Sequence, residues 1–241
     1  MEKGFTINCL DHGFVRVIDW MGADLDILEA ARISYKSPSK GVEADKKLLA
    51  YLWKNQHTSP FEQCIIKFNI KLPLFVQAQI VRHRTQRLNQ VSARYTQMKE
   101  EFYIPTSWRK QDTKNKQGSI NDNKWKAYIP YKSGNVDASN DLERHCRSSY
   151  FMYKKMLESG IAREMARMVL PQNLYTEIYS QWDLHNLMRF FSLRLNKHAQ
   201  WEVRMYALAM YNIFKELYPW TAEAWEKYKI VVKEVQLSEI L

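Results

Sequence analysis

Cysteine is scarce in this 241-residue chain, limited to Cys9, Cys64 and Cys146. The number is odd, the spacing is wide and no CxxC pair occurs. Neither a disulfide framework nor a structural zinc site is therefore expected. Such usage fits a reducing compartment, the cytoplasm. The six histidines are scattered without ligand spacing, so no metal site is expected from them either. Glycine and proline occur only seven times each, which excludes a collagen-like or low-complexity chain. No apolar run approaches the ~20 residues that a membrane-spanning helix needs. Met1-Glu2-Lys3-Gly4-Phe5 opens no basic segment followed by a long apolar stretch, so no leader peptide is expected.

Apolar material is plentiful, at 46% hydrophobic and 13% aromatic residues. A chain of this size buries roughly 70–75% of the surface exposed when unfolded, so a single domain over residues 1–241 is expected. Lys and Arg number 36 against 26 Asp and Glu, a formal charge of +10. Such an excess seeks phosphate, whether on nucleic acid, membrane or a small ligand.

The patterning predicts an α+β fold, with a central antiparallel-containing sheet flanked by helices and a mainly helical C-terminal half. Phe5–Cys9 and Phe14–Trp20 read as strands around a turn at Asp11-His12-Gly13. Helices are predicted from Asp24 to about Ile33 and over Ala44–Lys54. Ile66, Phe68, Ile70 and Leu72 alternate with Lys67, Asn69 and Lys71, the period of a half-buried strand. Pro73 then precedes a short apolar helix over Leu74–Val81. Residues from about Thr106 to Ser139 are polar and read as a surface insertion. Two apolar stripes follow, Leu184/Leu187/Met188/Phe191/Leu195 and Met205/Leu208/Ala209/Ile213/Leu217, the second ended by Pro219. Both read as core-facing helices.

The chemically densest stretch runs from Arg82 to Tyr95. It holds Arg82, His83, Arg84, Arg87 and Arg94, with uncharged hydrogen-bonding residues between them and no acid. Guanidinium forks match phosphate oxygens in pairs. Read from the residues alone, the stretch suits a solvated basic loop, a nucleic-acid contact or a phosphorylated ligand. Consecutive helical residues diverge by ~100°, so Arg82, His83 and Arg84 are all usable only if the helix ends there. In an extended segment Ser92 and Arg94 point the same way.

Arg82-His83-Arg84, seven residues and then Ser92 resemble the signature of the flavin-dependent thymidylate synthases. The resemblance continues in order through His57-Thr58-Ser59-Pro60-Phe61-Glu62 and Phe102-Tyr103-Ile104-Pro105. It resumes at Arg163-Glu164-Met165-Ala166-Arg167 and Leu170-Pro171-Gln172-Asn173-Leu174-Tyr175. Leu193-Arg194 and His198-Ala199-Gln200-Trp201-Glu202 complete it. It spans nearly the whole chain apart from the polar stretch.

The resemblance implies synthesis of dTMP from dUMP, with carbon from 5,10-methylenetetrahydrofolate and reducing power from NADPH through bound FAD. It also implies a homotetramer whose active sites combine residues of several subunits. Arg194 is then the catalytic candidate, binding dUMP and promoting ionisation at ring N3. A fixed cation there stabilises charge developing on the pyrimidine. Gln79, Arg82, Gln90, Ser92, Arg94 and Arg167 correspond to further dUMP contacts. Ser59, Arg82, His83, Arg84 and Gln90 correspond to FAD contacts, joined by a second segment at Asp183, Leu184, His185 and Arg189. If Asp183 caps a helix, His185 and Arg189 form one i,i+4 row, expected to face FAD. Asn186, Phe190 and Arg194 form the next, expected to face dUMP. No partner is evident to activate a thiol, so all three cysteines read as structural. Flavin hydride removes the need for a cysteine nucleophile.

Three positions depart from the family pattern: Arg87 where Ser is usual, Gln90 where Glu is usual, and Arg189, which replaces a smaller polar residue of some members. Gln90 can donate and accept hydrogen bonds but supplies no negative charge. The alternative from another class is a basic nucleic-acid-binding protein. Under the implied function the +10 serves small anionic ligands, with no nucleic acid or membrane partner.

Overall fold

The computed structural model describes residues 1–34, 36–122 and 125–228. The chain opens with a hairpin, β1 (Thr6–Cys9) and β2 (Gly13–Met21), followed by α1 (Asp24–Arg32), α2 (Val42–Lys54) and the short α3 (Ser59–Glu62). Next come β3 (Ile65–Pro73), α4 (Leu74–Ile80) and β4 (Arg87–Gln90). Two small hairpins, β5 (Lys110–Gln111) with β6 (Ser119–Ile120) and β7 (Tyr128–Tyr131) with β8 (Gly134–Asp137), lead into α5 (Ala138–Glu158). After α6 (Arg163–Ala166) and a 3-10 turn at Arg167–Val169 come β9 (Tyr175–Asp183), α7 (Leu184–Arg194), α8 (Trp201–Leu217) and α9 (Pro219–Tyr228).

The fold is α+β. Its central sheet has the order β1-β2-β3-β9-β4, every neighbouring pair antiparallel. β3 and β9 pair without interruption from Ile65 opposite Asp183 to Pro73 opposite Tyr175. This register positions the site. Each strand runs directly into a helix, so α4 and α7 start from opposite ends of a strand pair ~27 Å long. Seven helical residues advance ~10 Å and eleven ~16 Å, so the two helix C-termini can meet over the sheet. Hydrogen bonds between Gln79 and Arg194 join them there.

Apolar spacing accounts for the core. Ile66, Phe68, Ile70 and Leu72 of β3 are fully buried and pack with the inner faces of α7 and α8. Pro73, whose fixed φ suits a helix entrance, is the N-cap of α4. Asp24 is buried beneath the start of α9, where it accepts hydrogen bonds from the Trp220 and Thr221 amides.

Several expectations are corrected. Asn69 does not face solvent: it is buried, its amide donating to Glu177 Oε1 (2.9 Å) and the Ile178 carbonyl (3.3 Å) of β9. β9 lies within the half read as mainly helical, and Pro219 opens α9 as well as ending α8. The polar stretch folds into the two hairpins, and its last residues open α5. Asp137 caps that helix by accepting from the Ser139 and Asn140 amides.

Candidate active site

Arg194, the last residue of α7, is held on three sides. Its Nε donates to His83 Nε2 (3.1 Å), Nη1 to Gln79 Oε1 (3.3 Å) and Nη2 to the Gln79 carbonyl (3.3 Å). A guanidinium carries five N–H donors, so one on each terminal nitrogen stays available for a ligand. His83 packs edge-on against Phe190, with ring centroids 4.9 Å apart, and tilted against Trp182. Burial, reinforced by the Arg194 charge, pushes its imidazole down to about 4. His83 is thus neutral near pH 7, and a neutral ring can offer Nε2 as the acceptor that Arg194 requires. Burial also lowers the pKa of the guanidinium.

Gln79 lies on α4, whereas the helix ends at Ile80 and Arg82 stands in the turn beyond it rather than on the helix. That turn is anchored by Gln86, whose amide donates to the Ile80 carbonyl (2.7 Å) while its Oε1 accepts from Ser180 (2.6 Å). Arg82 and Arg84 are exposed on either side of the half-buried His83. Arg189 is exposed on α7. Among the described residues no carboxylate pairs with Arg82, Arg84, Arg87 or Arg189. Such a donor set suits a diphosphate-bearing anion.

Asp183 caps α7 as expected, accepting from the Asn186 amide (2.9 Å). His185 is buried beside Trp53, below α3, whose first residue is the exposed Ser59. In the adjacent row of α7, Phe190 and Arg194 both reach His83.

The other predicted residues gather elsewhere. Gln90, Ser92 and Arg167 line a cleft of about 730 Å³ together with Val91, Met98 and Met168. Gln90 accepts from Gln77 (3.0 Å) and donates to Thr176 (3.2 Å). Ser92 and Arg94 do not form an extended pair: Ser92 Oγ accepts the Arg94 amide in a turn that follows β4. Arg94 instead pairs with Glu164 (3.2 Å), and Arg167 Nε donates to the Glu164 carbonyl (3.4 Å). Gln77 and Gln79 diverge by about 200° around α4. The helix therefore presents the cleft group on one side and the Arg194 group on the other.

The cysteines are all buried, and Cys64 lies one residue before β3. Burial pushes the Cys9 and Cys64 thiols up to about 12 and raises that of Cys146. Three polar residues without an expected role extend the site. Gln79 donates to Gln200 Oε1, Gln200 donates to Glu202 Oε2 (3.0 Å), and Arg109 donates to Glu202 Oε1 (2.6 Å). An acid in the apolar start of α8 was the available signal for a buried ion pair. Its partner lies 93 residues away.

Residues 16–220 match the family model described as thymidylate synthase complementing protein. A flavin-dependent thymidylate synthase of Thermus thermophilus is 47% identical over 228 residues, covering 95% of this chain and 81% of that protein. The chain belongs to the flavin-dependent thymidylate synthase family. Family members from Treponema denticola and Thermosipho africanus are 43% and 44% identical, covering 95% and 91% of this chain and 84% and 93% of theirs. The fold is also similar to the crystal structure of a UMP/dUMP methylase, PolB, from Streptomyces cacaoi bound with 5-Br dUMP. That likeness has a TM-score of 0.76 at 27% identity and covers 92% of this chain and 98% of the other.

Proposed function

We propose that this protein is an FAD-dependent thymidylate synthase that methylates dUMP to dTMP, with 5,10-methylenetetrahydrofolate as carbon donor and NADPH as reductant. The observation that carries the reading is Arg194, held by His83 and Gln79 with two N–H donors left over. A guanidinium so fixed is ready to meet negative charge on a pyrimidine without reorganising. Gln79 lies on the face of α4 that meets Arg194, and its amide adds a second hydrogen-bonding group to the nucleotide path.

The exposed, acid-free guanidiniums of Arg82, Arg84 and Arg189 fit the diphosphate of FAD, with Ser59, His83, Asp183 and His185 completing that wall. Bound FAD supplies hydride chemistry, which agrees with three thiols that are buried and raised in pKa. Gln90, Ser92, Arg94 and Arg167 serve the nucleotide of a neighbouring subunit in a homotetramer. Their separation from Arg194 by α4 supports that sharing. No helix among the described residues is long and apolar enough to cross a membrane, and we assign the enzyme to the cytoplasm.

The purified protein should be yellow, with a two-banded flavin spectrum, and should form dTMP from dUMP only with NADPH and methylenetetrahydrofolate. UMP run in parallel determines whether the ribose is discriminated. A colourless protein that takes up no added FAD, or one that yields no dTMP, overturns the reading.

A further inference from the structure

The hydrogen bonds around Gln79 form one unbroken chain: Arg109, Glu202, Gln200, Gln79, Arg194. The two groups that flank its glutamine pair, Glu202 and Arg194, are chemically opposite. A carboxylate only accepts, and a guanidinium only donates. Glu202 therefore draws the amide nitrogen of Gln200, which turns the Gln200 oxygen toward Gln79. Gln79 must then offer its nitrogen to Gln200, leaving its oxygen for Arg194. Each amide orientation follows from the last.

Counting makes the dependence strict. The chain has four contacts and needs one acceptor oxygen in each. Glu202 supplies two, Oε1 to Arg109 and Oε2 to Gln200, and the two glutamines supply one apiece. The Glu202 side chain is only 5% exposed, so water does not readily replace a lost partner. Arg109 is itself seated, with its guanidinium over the Trp201 ring at 5.3 Å and its Nε donating to Ser119 Oγ (3.1 Å).

We propose that Glu202 is a positioning residue: clamped by Arg109, its carboxylate sets the direction of the Gln200–Gln79 chain and thereby the orientation of Arg194. This gives the polar segment that carries Arg109 a task at the nucleotide site. The proposal rests on the reading of Arg194 as the dUMP-binding cation.

The test uses the FAD-loaded full-length enzyme and its Glu202→Gln, Gln200→Leu and Gln79→Ala variants. Glu202→Gln keeps the shape but leaves three acceptors for four contacts, so one contact becomes donor against donor. Gln200→Leu cuts the chain without touching the Arg109–Glu202 pair, which preserves the test if the first variant folds poorly. dUMP affinity by calorimetry, flavin spectrum and thermal midpoint are measured for each.

Glu202→Gln and Gln200→Leu are both expected to weaken dUMP binding on the order of tenfold with the flavin spectrum retained. Glu202→Gln combined with Gln79→Ala should lose no more than Gln79→Ala alone, since both act through one chain. Independent, multiplying losses in the double variant overturn the proposal, as does wild-type dUMP affinity in both single variants. A wild-type protein that binds FAD but no dUMP removes the reading of the site and the proposal with it.

Discussion

Arg194 donates its Nε proton to His83 Nε2 across 3.1 Å, binding the last residue of α7 to the turn that follows α4. The contact pairs a permanent cation with a ring that must stay neutral to accept. His83 thus fixes Arg194 in direction without cancelling its charge. Under the proposed function, an acid at the same place would consume the field that the pyrimidine needs.

Arg194→Lys keeps the charge but removes the planar fork that meets His83 and Gln79 together. dTMP formation should fall by about 10²–10³-fold while the flavin spectrum is retained. Steady-state kinetics with dUMP check this, and undiminished turnover would remove Arg194 from its assigned role.

The His83 imidazole lies well below its ordinary value, at about 4 against 6.5. Between those pH values the unfolded chain binds a proton that the folded chain refuses. His83 therefore adds stability above pH 6.5 that is lost as pH falls toward 4. His83→Gln, which can still accept from Arg194, should show a shallower decline of thermal midpoint across that window.

Native protein should resist thiol labelling at neutral pH, because all three thiols are buried and raised in pKa. Denaturation should release three reactive groups, read by mass spectrometry. Activity should survive prolonged treatment with iodoacetamide. Inactivation that tracks alkylation of one cysteine would point to thiol chemistry instead.

Gly13→Ala should destabilise the fold by about 1–3 kcal/mol. A Cβ there would stand 2.7 Å from the Cys9 carbonyl and 2.8 Å from that of Lys71, and would collide with the Tyr206 hydroxyl. That hydroxyl donates to the Lys71 carbonyl (2.9 Å), so it cannot simply withdraw. Chemical denaturation measures the loss.

Periodicity made β3, α7 and α8 legible, because Ile66, Phe68, Ile70 and Leu72 alternate and Leu184 to Leu195 recur at helical spacing. β9 escaped for the opposite reason. Its inward row includes Thr176 and Ser180, buried polar residues that bond Gln90 of β4 and Gln86 of the turn before it. The Asp183 cap was legible because it is local. The meeting of Gln79, His83 and Arg194 followed from no pattern of residues alone, since it depends on the register of β3 against β9. Resemblance to the family named all three, but not that Arg194 donates to His83. The Arg109–Glu202 contact was hidden by its long separation in sequence.

The two faces of α4 imply a rule about length. Adding or removing one residue between Pro73 and Gln77 turns the rest of the helix by ~100°. Gln77 and Gln79 would each lose their side of the helix at once. Insertions and deletions should therefore be excluded from this short stretch while being accepted at the tips of the β5–β6 and β7–β8 hairpins. A scan of single-residue insertions along the chain would display that contrast as a sharp gap in tolerated positions.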